Sequence, residues 1–138
     1  MSGFSTSLAN AIIGTTLRRQ AFPTIRTTYF ALFTADPTDA FTAGTEVNAA
    51  WYARQPTGDF AAPNNGASYN AVRVEFPPVV GAPVDVTHVG IVEGASPGDP
   101  TATLLYSLAL AEPQRLTANG IFMIDSKQVS GDFTLELL

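Results

Sequence analysis

The sequence predicts an all-β fold, an antiparallel β-sandwich or jelly roll, with a short N-terminal helix or arm ahead of it. From residue 27 onward, seven or eight short segments rich in Val, Thr, Tyr and Phe follow one another at regular spacing. Gly, Pro, Asn and Asp separate these segments, which is the pattern of strands joined by turns. The 138 residues suit one domain with a substantial core. We therefore divide the chain into a helical arm, 1–26, and a β-sandwich domain, 27–138.

A short helix is predicted within the arm. Ser5 or Ser7 can cap its first turn, because a serine hydroxyl accepts a hydrogen bond from a backbone amide at the start of a helix. Gly14 costs ~1 kcal/mol relative to alanine, so the helix needs a surface to pack against. Pro23 ends it, because the residue before a proline avoids helical geometry.

The apolar residues of the arm form a candidate contact surface. Leu8, Ile12 and Leu17 are spaced to share one helical face. Such a segment ahead of a β-domain is either a lid on the domain's own core or an arm that docks on a neighbouring molecule, and the sequence leaves both open. The candidate interface residues are Phe4, Leu8, Ile12, Leu17 and Phe22.

The first predicted strand of the domain is 27–34. It is rich in Thr, Tyr and Phe and apolar on both faces, so we expect a central strand buried on both sides. Asp and Pro residues at 36–39 then form a turn. After a long excursion rich in Gly and Thr, residues 51–55 are predicted to form a short strand that stops at Pro56 and carries the only tryptophan, Trp51.

The second half of the chain is predicted to consist of further strands. An Asn-Gly pair at 65–66 favours a tight turn. In the next strand, 71–76, the residues Val72, Val74 and Phe76 alternate with charged residues and are expected to face the core. The remaining predicted strands are 84–93, 103–110, 121–124 and 132–137, with a break at 112–113.

Composition narrows the function classes. The net charge is −5 and the seven basic residues are scattered, so nucleic-acid binding, which needs a basic patch, is disfavoured. Charged residues are only 14% of the chain, against about 25% in typical domains, and such a surface favours assembly with partner subunits. Without cysteine there are no disulfides or thiolate metal sites. We expect neither a signal peptide nor a membrane-spanning segment.

His88 and Gly90 lie in the predicted strand 84–93. Strict alternation places His88 on the same face as Val86 and Gly90. His88 is the only histidine, so a histidine metal cluster or a catalytic dyad has one possible member. We interpret it as a structural residue at a core edge or a subunit contact.

Acidic residues around the first turn are the other candidates for ligand chemistry. Asp36, Asp39 and Glu46 could offer oxygen ligands to a cation such as Ca²⁺. Their spacing matches no cation-binding loop, so capping of the turn is the favoured interpretation. We expect no metal and no cofactor.

The sequence offers no catalytic centre. Glu75 and Glu93 could be imagined as an acid–base pair, but nothing in their spacing distinguishes them from solvated strand faces. Trp51 and Tyr52 could stack on a sugar or a base, although packing in the core is favoured. Arg54 is expected to pair with a carboxylate or a carbonyl. We therefore predict no catalytic residues and no enzymatic activity.

Four short motifs resemble a family of small tailed-phage virion proteins, variously labelled phage tail fibre protein or head decoration (cement) protein. The resemblance covers about 27–110, and the Gly-Gly turn usual after the last motif is replaced here by 94–100. The motifs are Thr45-Glu46-Val47, Tyr52-Ala53-Arg54-Gln55, Asn65-Gly66 and Val86-Thr87-His88-Val89-Gly90-Ile91. They are structural motifs, and within them Trp51, Tyr52, Arg54, His88 and Gly90 are expected to maintain the fold.

The resemblance implies a virion structural protein. The leading hypothesis is a capsid decoration protein that is assembled in the host cytoplasm, binds the outer surface of the phage head and stabilises the shell by bridging capsomers. Its expected partners are the major capsid protein and further copies of itself, with a trimer favoured over a dimer, and neither nucleic acid nor membrane. Residues 4–26 would dock or trimerise, and loops 36–50 and 94–100 would be contact sites or exposed tips. The alternative is a tail fibre or adhesin module that binds a host surface glycan.

Overall fold

The computed structural model describes residues 3–97, 99, 101–126 and 129–132. It is mostly β-structure with antiparallel sheets and a short N-terminal helix, which confirms the predicted fold class. The elements, in chain order, are β1 (Gly3–Phe4), α1 (Thr6–Arg18), β2 (Thr28–Phe33), β3 (Gln55–Pro56), β4 (Ala67–Tyr69), β5 (Val74–Glu75), β6 (Val84–Glu93), β7 (Thr103–Leu116), β8 (Met123–Ile124) and β9 (Ser130–Asp132).

A five-stranded antiparallel sheet with the strand order β1-β7-β6-β2-β3 forms one layer. Strand β2 is buried on both faces, as predicted. Phe30 and Leu32 point into the larger hydrophobic cluster, while Ala31 and Phe33 point into a smaller one on the other side.

Two-stranded antiparallel ribbons, β4 with β9 and β5 with β8, complete the β-structure. Val74 and Ile124 of the β5–β8 ribbon pack in the same cluster as Phe30 and Leu32 of the sheet. The core therefore lies between the sheet and this ribbon, as in a sandwich. The turn at 65–66 is confirmed, since both residues have positive φ and the flanking backbones exchange two hydrogen bonds.

Helix α1 begins at the predicted serine and ends earlier than predicted. The Ser5 hydroxyl accepts a hydrogen bond from the Leu8 amide at 3.0 Å, so Ser5 is the N-cap. The chain leaves the helix at Arg19, where φ is +57°, and the Gln20 amide donates to the Gly14 carbonyl at 3.0 Å. Left-handed backbone at Arg19, rather than Pro23, terminates the helix.

Strands β6 and β7 pair irregularly, which corrects two predictions. The register jumps from Val86–Gln114 to His88–Ala109, so one residue of β6 lies opposite four residues of β7. The break predicted at 112–113 is thus a bulge within one long strand rather than its end. The bulge also shifts the alternation, so that Val86 packs in the larger cluster with Val89, and His88 does not share its face.

Two further strand predictions need correction, and a third falls largely outside the described residues. Residues 51–54 are not a strand, because the Tyr52 amide turns back to the Ala49 carbonyl, and β3 begins only at Gln55. The strand predicted at 71–76 is only two residues long, and Val72 is 45% exposed because the chain there bonds to Asp59 through the Ala71 amide. The last predicted strand, 132–137, lies outside the described residues from residue 133 onward. Within the described part of the chain, no helix is long and apolar enough to cross a membrane.

Candidate functional site

A buried ion-pair cluster lies beside β2, beyond the two residues that β3 covers, where residues 45–47 pair with the end of the strand. We call Glu46, Tyr52 and Arg54 the Glu46 cluster. Arg54 donates from Nε to Glu46 Oε2 at 2.8 Å and from Nη2 to Glu46 Oε1 at 2.7 Å, a bidentate geometry. The Tyr52 hydroxyl donates to Glu46 Oε2 at 2.6 Å and accepts from the Leu32 amide at 3.1 Å. The tyrosine hydroxyl thus accepts the hydrogen bond that the Leu32 amide would otherwise donate to a neighbouring strand.

Burial and charge act together on the Glu46 cluster. Burial opposes the charge on Arg54, but its hydrogen bonds and attraction to Glu46 outweigh this and raise the pKa of the guanidinium. Burial, followed by the negative charge of Glu46, also raises the pKa of Tyr52 well above its ordinary value. Arg54 is therefore cationic and Tyr52 is neutral. The sequence predicts that Arg54 pairs with a carboxylate or a carbonyl, and in the structure it bonds to both, the Glu46 carboxylate and the Gly94 carbonyl.

The third donor of Arg54 connects the cluster to the end of β6. Its Nη1 donates to the Gly94 carbonyl at 2.9 Å, and Gly94 has φ +99°, which favours glycine. The following loop also receives the end of the arm, because Arg26 donates from Nη2 to the Thr101 carbonyl at 2.8 Å and lies 3.5 Å from Asp99. The two loops predicted to be contact sites or exposed tips, 36–50 and 94–100, are thus partly fixed by internal contacts of their described residues.

The aromatic residues of the motif belong to the core. Tyr52 stacks on Phe76 at a centroid distance of 6.2 Å, and Phe76 meets Phe122 edge-on. Trp51 packs against the hydrophobic core and contacts Tyr52 edge-on at 6.1 Å. Phe76 covers one face of Tyr52, and Trp51 is partly buried against the core, which favours the core interpretation over stacking on a sugar.

His88 and Gly90 occupy packing positions in β6. His88 Nδ1 lies 2.8 Å from the hydroxyl of Thr87, and His88 pairs across the sheet with Phe33 and Ala109. A Cβ atom on Gly90 would lie 2.7 Å from the Phe33 ring, so a larger residue would displace that side chain. The motif around His88 therefore serves strand packing.

Two of the three candidate cation ligands are committed to other contacts, whereas the buried Oδ1 of the third, Asp39, accepts no hydrogen bond from the described residues. Asp36 accepts a hydrogen bond from the Thr38 amide at 2.8 Å, which is the predicted capping of the turn. Glu46 is bound by Arg54, as described above. In the described ranges, no three residues of the types His, Cys, Asp and Glu come together in a group that could hold a metal ion.

The predicted interface residues of the arm divide into two groups. Phe4 contacts Tyr106 edge-on at 5.6 Å, Leu8 is only 7% exposed, and Ile12 packs against the core. Leu17 is 75% exposed and Phe22 is 44% exposed. The arm is therefore a lid over its first half and a free surface over its second.

The prediction that Leu17 shares a face with Leu8 is wrong for a geometric reason. Nine residues at about 100° each amount to two and a half turns, so Leu17 lies opposite Leu8. The same arithmetic places Ile13 beside Leu17, and sequence reasoning missed Ile13. The exposed apolar residues, together with the two adjacent arginines, form what we call the arm surface: Ile13, Leu17, Phe22, Ile25, Arg18 and Arg19.

A second exposed apolar surface lies around the β5–β8 ribbon. Glu75 and Met123 face each other across the ribbon and point outward, opposite the buried pair Val74 and Ile124. Val79 exchanges hydrogen bonds with the 119–120 turn, so the exposed residues Val80 and Ile121 flank the same backbone contact. The outward residues form what we call the ribbon surface: Val72, Val80, Ile121, Met123, Glu75 and Asp125. Sequence reasoning missed it, because it expected Val72 in the core.

Comparison with known proteins identifies the family. The family model described as "Podophage GP4 fiber I protein gp80" matches residues 3–132 of the 138. No curated protein matches the chain. Because the match covers nearly the whole chain, the protein belongs to this family, and it is a structural protein of a phage virion.

Proposed function

We propose that this protein is a structural subunit of a podophage fibre, and that it acts by assembling with other virion subunits rather than by catalysis. The family match over residues 3–132, to a family described as a fibre protein, carries the proposal. The role is mechanical: a rigid β-domain presents fixed surfaces through which subunits contact one another.

The Glu46 cluster supports a structural role. Its three side chains satisfy one another and connect the 36–50 excursion to β2 and to the end of β6. A buried ion pair with complete hydrogen bonding maintains one arrangement of the loops, because breaking it leaves a buried charge without a partner. A subunit of a mechanical assembly needs such a fixed shape.

Glycan binding through Trp51 is disfavoured within this proposal. Stacking on a sugar requires an open ring face, whereas Trp51 packs against the core and Tyr52. Trp51 is the only tryptophan, so quenching of its fluorescence by acrylamide reports on this residue alone. We expect weak quenching, and a fully accessible tryptophan would reopen the adhesin alternative.

Location on the virion tests the proposed function. We expect gold-labelled antibody against the protein to mark the fibres of purified virions in the electron microscope. Label spread evenly over the head would contradict the fibre proposal. It would instead favour the decoration role, with the major capsid protein as partner, and heads lacking the protein should then burst more easily.

A further inference from the structure

We infer that copies of this protein associate head to tail, with the arm surface of one copy docking on the ribbon surface of the next. The inference rests on the proposed assembly role and specifies which surfaces carry it. The partner is a second copy of this chain.

The exposed apolar side chains point to these two surfaces. Nine large hydrophobic residues are exposed in the described part of the chain, and four of them lie in the arm surface. Four more lie in the ribbon surface, so only Tyr69 belongs to neither. Exposed apolar residues concentrated in two patches, rather than scattered, are typical of contact sites.

Charge makes the two surfaces complementary. Residues 1–35 contain three arginines and no acidic residue, whereas residues 36–138 contain four basic and twelve acidic residues. Within the described ranges, neither Arg18 nor Arg19 contacts a carboxylate. On the ribbon surface, two carboxylates lie beside Arg73, which is 3.1 Å from Glu75 and 3.4 Å from Asp125. Opposite charges beside matching apolar patches favour one docking orientation.

The placement of the two surfaces makes the contact intermolecular. Helix α1 packs on β7, while β5 of the ribbon lies beside β3. In the order β1-β7-β6-β2-β3, these strands are near opposite edges of the sheet. A contact between different patches of identical subunits is heterologous, and it closes into a ring or continues as a filament. Both outcomes suit a fibre subunit, and a ring of three is the trimer expected from the sequence.

Charge reversal in the full-length protein tests the inference by sedimentation velocity over about a hundredfold concentration range. We expect the wild type to self-associate. R18E/R19E and E75R/D125R should each weaken association at least ~10-fold, since like charges would then face each other. The matched control is E112R, which changes an exposed acid in the bulge of β7 that belongs to neither surface and should associate like the wild type.

Mixing the two charge-reversed variants gives the sharpest readout. In an open chain or an even-numbered ring of alternating variants, the arm with glutamates meets the ribbon with arginines, and the unchanged arm meets the unchanged ribbon. A ring of three cannot alternate and keeps one like-charged contact. In either case the mixture should associate more strongly than each variant alone. Circular dichroism of each variant shows whether it is folded, and recovery on mixing would itself require folded partners.

Three results would overturn the inference. The first is a wild type that stays monomeric at every concentration. The second is an R18E/R19E variant that associates like the wild type. The third is a wild type that is monomeric in solution but sediments with phosphatidylglycerol vesicles, because the arm surface would then bind a membrane instead of a second copy. The second result would leave the assembly role intact and reject only these surfaces. Failure of the fibre proposal is a separate observation, since antibody labelling of virions decides it.

Discussion

The Glu46 cluster and the arm surface both place arginines beside apolar side chains, but they differ in whether those arginines have hydrogen-bonding and charged partners within the molecule. Arg54 in the Glu46 cluster is 5% exposed and bonds to Glu46 and to the Gly94 carbonyl. In the arm surface, Arg18 and Arg19 contact no carboxylate among the described residues, and the neighbouring Leu17 is mostly exposed. The first region uses its polar groups within the molecule, whereas the second leaves them available. The motif residues of the Glu46 cluster are thus used in internal contacts, and the proposed contacts between copies involve residues outside those motifs.

Removing the positive charge of Arg54 from the Glu46 cluster should have the largest effect on the free energy of unfolding. In Arg54→Met, the Glu46 carboxylate loses its cation and stays partly buried, so we expect the free energy of unfolding to fall by about 3–5 kcal/mol. Urea denaturation followed by Trp51 fluorescence measures this change.

An exposed ion pair provides the matched control. Arg115 lies 3.6 Å from Asp85, and both side chains are more than half exposed. Arg115→Met should therefore change stability by less than ~1 kcal/mol. Equal losses in the two variants would contradict the distinction between the buried cluster and the solvated surface.

The hydroxyl of Tyr52 should have a smaller, pH-dependent effect. Tyr52→Phe removes the bonds to Glu46 and to the Leu32 amide, at a cost of about 1–3 kcal/mol near neutral pH. Because burial and then Glu46 raise the pKa of Tyr52 in the folded protein, the wild type should lose stability as the pH rises above the ordinary value of 10.0.

The pH series separates the role of Tyr52 from general alkaline unfolding. In the wild type the loss from this residue approaches about 1.4 kcal/mol per pH unit above the unfolded pKa. The phenylalanine variant lacks this contribution, so its stability should fall less steeply with pH. Parallel curves would mean that the Tyr52 hydroxyl is not buried against Glu46.

The ion pair between Arg26 at the end of the arm and Asp99 should affect only the local stability of the arm. Hydrogen bonds from Thr101, followed by the charge of Arg26, lower the pKa of Asp99, so this contact is present at neutral pH and is lost as the pH falls through the lowered pKa. In Asp99→Asn, the Thr101 bonds can remain while the attraction to Arg26 is lost. We expect faster trypsin cleavage after Arg26, with little change in global unfolding. Asp59→Asn, an exposed acid elsewhere, should leave the cleavage rate unchanged.

Sequence reasoning predicted the parts of the fold that depend on local chemistry. Turn residues at 65–66, the serine cap of α1 and the bounds of β6 follow from nearby residues and are confirmed. The bulge opposite Thr87 depends instead on how β7 pairs with β6: the break predicted at 112–113 marks its position on β7, but no local pattern reports the change of register. It moved His88 off the face of Val86.

The features of the candidate site also separate into those set by nearby residues and those set by contacts between distant parts of the chain. Pairing of Arg54 was predictable, because a lone arginine beside aromatic residues in a core needs a partner, but the identity of Glu46 depends on the path of the excursion. The ribbon surface depends on the register of β5 with β8, which pairs residues 50 positions apart in the chain. Of the features that sequence reasoning missed, only the position of Leu17 opposite Leu8 could have been found from the sequence, by counting 100° per helical residue.

The exposed region should contribute least to folding, and this is the most direct test of the difference between the two regions. Leu17 is 75% exposed, so Leu17→Ser should change the free energy of unfolding by no more than about 0.5 kcal/mol. Leu8 lies on the opposite side of the same helix and is 7% exposed, so Leu8→Ser should cost at least about 2 kcal/mol. Urea titrations of the two variants, at a concentration where the wild type is monomeric, give both values. A Leu17 variant as unstable as the Leu8 variant would mean that the second half of the arm is covered by its own domain. In that case it would not be free to meet another copy.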